Sequence, residues 1–166
     1  RDFVVGIFPS TGYALKQWPP KRFAKIADYL FEKYQAKIII PGSGGDKKVI
    51  DEMAAHLAPT TKVINTYNRF NVDELKALIS KMSLFISVDT GPIYIAEAFG
   101  VPTIDIVGPM DEKEQPPIGK FHRIVKSERR KPMMHVMNTS VFDKREAKRQ
   151  VEEISAEMVK AANDEL

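Results

Sequence analysis

The chain has 166 residues, 43% hydrophobic and 28% charged, which is the size and balance of one globular domain with a real core. It has no cysteine, which excludes disulfides, thiolate zinc sites and cysteine nucleophiles and fits a reducing compartment. A net charge of +3 suits an anionic small molecule or a weak surface contact and is too small to argue for nucleic acid. No apolar run approaches the roughly 18 residues of a membrane span. The chain opens at Arg1 on a strand-like run, with neither Met nor a signal-peptide layout, so a fragment or processed piece of a longer protein is expected.

In chain order, the apolar run Phe3 to Phe8 predicts a first strand, and a loop over 9–18 follows it. Pro19 and Pro20 suit a helix start. Phe23, Ile26, Ala27, Leu30, Phe31 and Tyr34 then recur at helical spacing. The β-branched Ile38 to Ile40 predicts a second strand. "PGSGGD" makes a turn into a helix with Val49, Ile50, Met53 and Leu57 on one face. Lys62 to Thr66 is a third strand. Asn71 with Glu74 forms a capping box, and Leu75, Leu78, Ile79 and Met82 mark the helix behind it.

Leu84 to Val88 is a fourth strand, ending at "DTGP". The helix after it closes near Gly100. Val101 to Val107 is a fifth strand and Arg123 to Val125 a short sixth, with a long loop over 108–120 between them. Asp143 with Glu146 caps one last helix carrying Val151, Ile154 and Met158. Five strand–helix alternations with short links specify an α/β fold, a parallel sheet with helices on both faces.

Ligands of such sheets bind beyond the carboxyl ends of the strands. Asp89-Thr90-Gly91-Pro92 lies at one such end. Gly91 permits a turn or a close approach, Pro92 fits the first helical turn, and free amides with the helix dipole make an anion site. Asp89 would repel a bare phosphate, so it accepts loop amides or a ligand hydroxyl, or caps the helix. A plain helix start fits the spacing as well. Thr11, Gly12 and Lys16 follow the first strand, and Lys16 is the cation that a diphosphate there would need. Trp18 reads as a packing residue.

"GSGGD" follows the second strand, with Lys47 where a third glycine would stand, which rejects a Rossmann dehydrogenase. A phosphate or ribose contact from Gly44 to Asp46 and a simple tight turn both fit. Phe70 either packs on a base or staples the following helix. His56, His122 and His135 lack metal spacing, so no metal is expected. "KSERRK" reads as a solvated loop and "PMMHVM" as helix packing.

"PSTGYALKQWPPKRFAKIADYL", "DELKALISKMSLFISVDTGPIYIAEAFGVP" and "IVGPMDEKEQPP", in that order, resemble the donor-binding half of glycosyltransferase family 9. The best-known members of that family are the ADP-heptose:lipopolysaccharide heptosyltransferases. The resemblance runs from Phe3 to about Pro117 and more loosely through the last helix. It implies a GT-B architecture, two Rossmann-like three-layer domains across a cleft. This chain, residues 1–166, would be the C-terminal one, with the N-terminal acceptor domain and its general base outside it.

The resemblance also implies an inverting, metal-independent transfer of heptose from an ADP-sugar to the lipid A–core acceptor. It implies no cofactor and a cytoplasmic place, at most peripheral on the inner membrane. Thr11, Gly12 and Lys16 match positions that meet the diphosphate, with Lys16 stabilising the leaving group. Thr90 and Gly91 match the phosphate cradle with Asp89 beside them, and Phe70 the adenine contact. Asp46 is the nearest match to the ribose-binding acid. The family usually has His three residues after the D-T-G glycine. Here Tyr94 stands there, which can donate to phosphate but carries no positive charge near neutral pH. A GT-B enzyme using a UDP-sugar and a flavodoxin-like anion-binding module are the alternative readings.

Overall fold

The computed structural model describes residues 2–114, 119–129 and 143–166. Six strands, β1 (Val4–Phe8), β2 (Lys37–Ile40), β3 (Val63–Asn65), β4 (Leu84–Val88), β5 (Thr103–Val107) and β6 (His122–Lys126), form one sheet in the order β3-β2-β1-β4-β5-β6. Every neighbouring pair is parallel. The helices are α1 (Pro20–Tyr34), α2 (Lys47–Ala54), α3 (Val72–Ile79), α4 (Gly91–Ala98), α5 (Lys144–Glu153) and α6 (Ala156–Asp164).

The alternation of each strand sorts its side chains between two cores. Val5, Ile7, Ile38, Ile40, Ile86, Ile104 and Ile106 pack with α1, α2, α5 and α6 on one face. Phe8 and Phe85 pack with Ile79, Ile93 and Ala96 of α3 and α4 on the other. β4 and β5 are buried along their whole length, as middle strands of a doubly covered sheet are. The predicted fold class is therefore the observed one. The Asn71–Glu74 capping box forms, and Gly100 closes α4 at φ +68°, a left-handed conformation that glycine adopts without a Cβ penalty.

The expected single last helix is two. Apolar periodicity runs through Val151, Ile154 and Met158, yet the backbone breaks at Ile154, which is extended (φ −71°, ψ 108°). Ser155 then caps α6, its hydroxyl accepting from the Met158 amide at 3.1 Å. The break frees the Ile154 carbonyl. It accepts from the Trp18 indole at 2.9 Å and from the Arg22 guanidinium at 2.6 Å. Trp18 is fully buried, edge-on to Phe23 with ring centres 4.7 Å apart, so it is the packing residue expected.

In "KSERRK", Lys126, Glu128 and Arg129 are exposed as expected, and residues 130 and 131 lie outside the described residues. Ser127 is buried, its hydroxyl donating to Glu153 of α5, and Arg129 reaches the same carboxylate. Glu153 is an acceptor within reach only in the folded chain. "PMMHVM", with His135, lies outside the described residues. Replacing Trp18 with Phe should keep most of the ring packing and remove the bond to Ile154. The expected loss is about 1–3 kcal/mol of stability, read from urea unfolding.

Candidate functional site

The strand order reverses between β1 and β4, and in open parallel sheets a crevice forms at that reversal beyond the carboxyl ends. The chain leaves β1 through 9–18 and leaves β4 through Asp89–Gly91. A hollow of about 380 Å³ lies there, lined by Thr11, Gly12, Tyr13, Lys16, Asp89, Thr90, Gly91 and Tyr94. Seven of the nine residues singled out from the sequence share this hollow.

At its centre the Lys16 ammonium meets the Asp89 carboxylate, Nζ to Oδ2, at 2.9 Å. Their side chains are only 16% and 13% exposed, so the pair is partly desolvated. Asp89 Oδ1 accepts from the Tyr94 hydroxyl at 3.0 Å. Burial, and after it the charge of Asp89, pushes the Tyr94 phenol well above its ordinary range. Tyr94 is therefore a neutral donor that holds Asp89 in place.

Asp89 does not cap the helix. The N-cap position of α4 is Thr90, in extended conformation, with no side chain bonded to the first-turn amides. Pro92 has no amide hydrogen and the Ile93 amide donates to the Thr90 carbonyl at 3.1 Å, so the helix start offers an outside acceptor the Gly91 amide and the positive end of the dipole. Gly91 needs no special backbone, since its φ is not positive, and a Cβ built there would meet nothing within 4 Å. The turn does not require glycine. What glycine leaves is open space directly over the helix start.

Phe70 and Asp46 lie apart from this hollow. Phe70 is 42% exposed and edges a second hollow of about 240 Å³, with Phe8, Pro41, Ser43, Leu75 and Pro92 around it. This hollow is mainly apolar and touches the first turn of α4 at Pro92, next to Gly91. Phe70 and Leu75 flank the Asn71 cap at the two positions of a hydrophobic staple and both line this cleft, so the staple and the base-packing readings both fit. Asp46 closes the "GSGGD" turn. Its Oδ2 accepts from the Ser43 amide at 2.6 Å and the Ser43 hydroxyl at 2.8 Å, and its Oδ1 accepts from Ser10 at 2.5 Å. It ties the loop after β1 to the loop after β2.

Other hollows are larger, about 420 Å³ by Phe3, Tyr34 and Leu166 and about 520 Å³ along β6 and α6. The first sits at the amino ends of β1 and β4, the edge opposite the one where ligands of such sheets bind, and the second lies along the edge strand β6. Among the described residues no three His, Cys, Asp or Glu side chains group to hold a metal ion.

Two features were not singled out from the sequence. Asp105 lies in the middle of β5, 5% exposed. Burial foremost, then the nearby Asp89 charge, raises its carboxyl well above the usual carboxylate range. Beyond it, His122 bonds through Nδ1 to Glu97 and to Thr103, both at 2.7 Å. Burial lowers the His122 pKa despite the Glu97 carboxylate. The acid interrupting "TIDIV" was a visible signal for Asp105. The His122–Glu97 contact joins two elements and left no trace in spacing.

A carboxyl whose folded pKa is raised costs stability as pH climbs from its unfolded value, about 4, through the folded one. Asn at this position mimics the protonated form. Asp105→Asn should therefore leave stability unchanged below about pH 4 and raise it increasingly toward neutral and alkaline pH, as thermal melts across pH would read.

The model of glycosyltransferase family 9 (heptosyltransferase) matches residues 1–145. Lipopolysaccharide heptosyltransferase 3 of Escherichia coli (strain K12) is 32% identical over 112 residues, covering 67% of this chain and 32% of that protein. The glycosyl transferase family 9 structure from Veillonella parvula DSM 2008 has a TM-score of 0.78 at 23% identity, over 99% of this chain and 45% of that one. TibC from enterotoxigenic E. coli, a dodecameric iron-containing heptosyltransferase in complex with ADP-D-beta-D-heptose, has a TM-score of 0.72 at 15% identity, over 99% and 45%. The chain thus spans about a third of the length of the curated relative and under half of the solved ones. With the match running over nearly all of the sheet and both strand ends of the hollow, the chain belongs to glycosyltransferase family 9.

Proposed function

We propose that this chain is the nucleotide-sugar domain, the C-terminal half, of a GT-B glycosyltransferase that moves heptose from an ADP-sugar to a lipopolysaccharide core. The observation that carries the reading is the meeting of Lys16 with the uncapped start of α4 at the sheet's reversal, beside an apolar cleft edged by Phe70. The nucleobase lies in the Phe70 cleft, and the diphosphate crosses the start of α4 to reach the Gly91 amide, Thr11 and Lys16. The ribose passes near Ser43 and Asp46. The absence of a Cβ at Gly91 lets phosphate oxygens come within hydrogen-bond reach of the backbone.

In the transfer, the bond between the sugar's anomeric carbon and the β-phosphate oxygen breaks, and its electron pair stays on that oxygen. The charge that grows there is met by the Lys16 ammonium and the Gly91 amide with the α4 dipole, fixed in place before the reaction. This makes the transfer independent of a metal. Tyr94 cannot supply charge, since its phenol stays neutral. An acceptor hydroxyl attacks from the opposite face, inverting the centre, and its proton goes to a base on the N-terminal domain.

ADP should bind the purified chain more tightly than UDP or GDP in calorimetric titrations, and equal affinities would sink the adenine assignment. Lys16→Ala should weaken ADP by about 1.5–3 kcal/mol and AMP by less, because the charge-assisted bond goes to the terminal phosphate. Removal of Lys16 also leaves Asp89 unpaired beside the anion, which adds to the loss. Gly91→Val should leave unfolding stability within about 0.5 kcal/mol, since the side chain enters open space, yet cost at least about tenfold in ADP affinity. Unchanged affinity would show that no ligand approaches that turn.

A further inference from the structure

Strand β5 carries a buried acid that the transfer itself does not use. In "TIDIV" the side chains of Ile104 and Ile106 enter the core under α1, α5 and α6. Thr103 faces the other way, where it bonds His122 and reaches Glu97 of α4. Asp105, two residues on, shares that side. It pairs in register with Ser87, just short of Asp89 on β4. It is 5% exposed, and its Oδ1 has no hydrogen-bond partner.

The charged groups around it come from every element packed there. Asp89 stands at the end of β4, Lys16 comes from the turn after β1, and Glu97 comes from α4. Tyr94 of α4 senses the Asp105 charge as well, and His122 of β6 lies beyond Glu97, neutralised by burial. Lys16 favours a negative Asp105, while Asp89 and Glu97 oppose it. Lys16 is already held by Asp89. A buried carboxyl with an unpartnered oxygen is far cheaper to bury protonated than ionised.

We propose that Asp105 is a positioning residue of the donor site: uncharged, it leaves Lys16 and the Gly91 amide to a diphosphate, and ionised, it sets a second negative charge behind Asp89 that weakens the anion's hold. The proposal rests on the donor reading above. By linkage the effect is reciprocal. A diphosphate that draws on Lys16 makes Asp105 harder to ionise. Bound anion and bound proton therefore stabilise one another, and affinity falls as pH rises through the titration of Asp105.

The test is calorimetric titration of ADP into the full chain and into Asp105→Asn, from roughly pH 5 to pH 9. The terminal phosphate of ADP titrates near pH 6. It does so for both proteins, so the ratio of their dissociation constants isolates Asp105. The ratio should be near one at the acid end and rise on the order of tenfold in favour of the Asn protein at the alkaline end. A purely structural role would shift affinity by one factor at every pH, and such parallel profiles overturn the proposal.

Should the variant fold poorly, carbon-13 NMR of the aspartate carboxyls in the unaltered chain decides. Saturating ADP should move the Asp105 titration to higher pH, and an unmoved titration overturns the proposal. Failure of ADP to bind either protein at any pH overturns the donor reading itself and this proposal with it.

Discussion

The site depends on β1 lying beside β4. Strand–helix–strand crossovers are right-handed, so a sheet that grows outward in both directions from its first strand sends the chain away from the reversal on opposite faces. The crevice left between the two departures cannot be filled by either connecting helix. Into it fall the loop after β1 and the turn after β4, and the two meet in the Lys16–Asp89 pair, 73 residues apart in sequence. The contact follows from β1 and β4 being neighbours in the sheet. The pair, the uncapped helix and the apolar cleft are all consequences of one topological fact.

The electrostatics of the crevice are nearly self-cancelling. One ammonium faces one carboxylate, the phenol beside them is neutral, and a second carboxyl lies buried behind. An anion entering such a place is not met by a surplus of cations. Under the proposed reading it is met by the Gly91 amide and the α4 dipole, and by the share of Lys16 that Asp89 gives up. Backbone donors fixed by a helix need no reorganisation when charge develops, so in the transfer proposed above a site poor in net positive charge can still stabilise the leaving group.

Much of this was legible in the chain, and the legible part is local. Short apolar runs gave strands because buried parallel strands need apolar side chains on both faces, as Leu84–Val88 shows. Asn71 and Glu74 announced a helix start because the cap is chemistry within four residues. "DTGP" stood out because it breaks an apolar run. Seven candidate residues share one hollow because motifs at strand ends are collected by topology. The misses are long-range. Whether Asp89 would cap its own helix or pair with Lys16 is settled by a contact that no periodicity encodes. The break at Ile154 is settled by Ser155 competing for the α6 amides, while Trp18 and Arg22 take the carbonyl set free. Phe70 fits a staple and a cleft wall alike, because the two have the same spacing and differ only in what a ligand would bring opposite it.

The bond from Trp18 to the Ile154 carbonyl makes the protein its own spectroscopic probe. The chain has a single tryptophan, so its ultraviolet emission comes from one place without deconvolution. That place is two residues beyond Lys16, on the segment that carries it, and its indole N–H is clamped to the joint between α5 and α6. Emission wavelength and quenching at Trp18 therefore register how firmly the Lys16 segment is seated on the C-terminal helices. A displacement of this segment that loosens the Trp18–Ile154 bond changes the emission, and a fluorimeter reads it without a label.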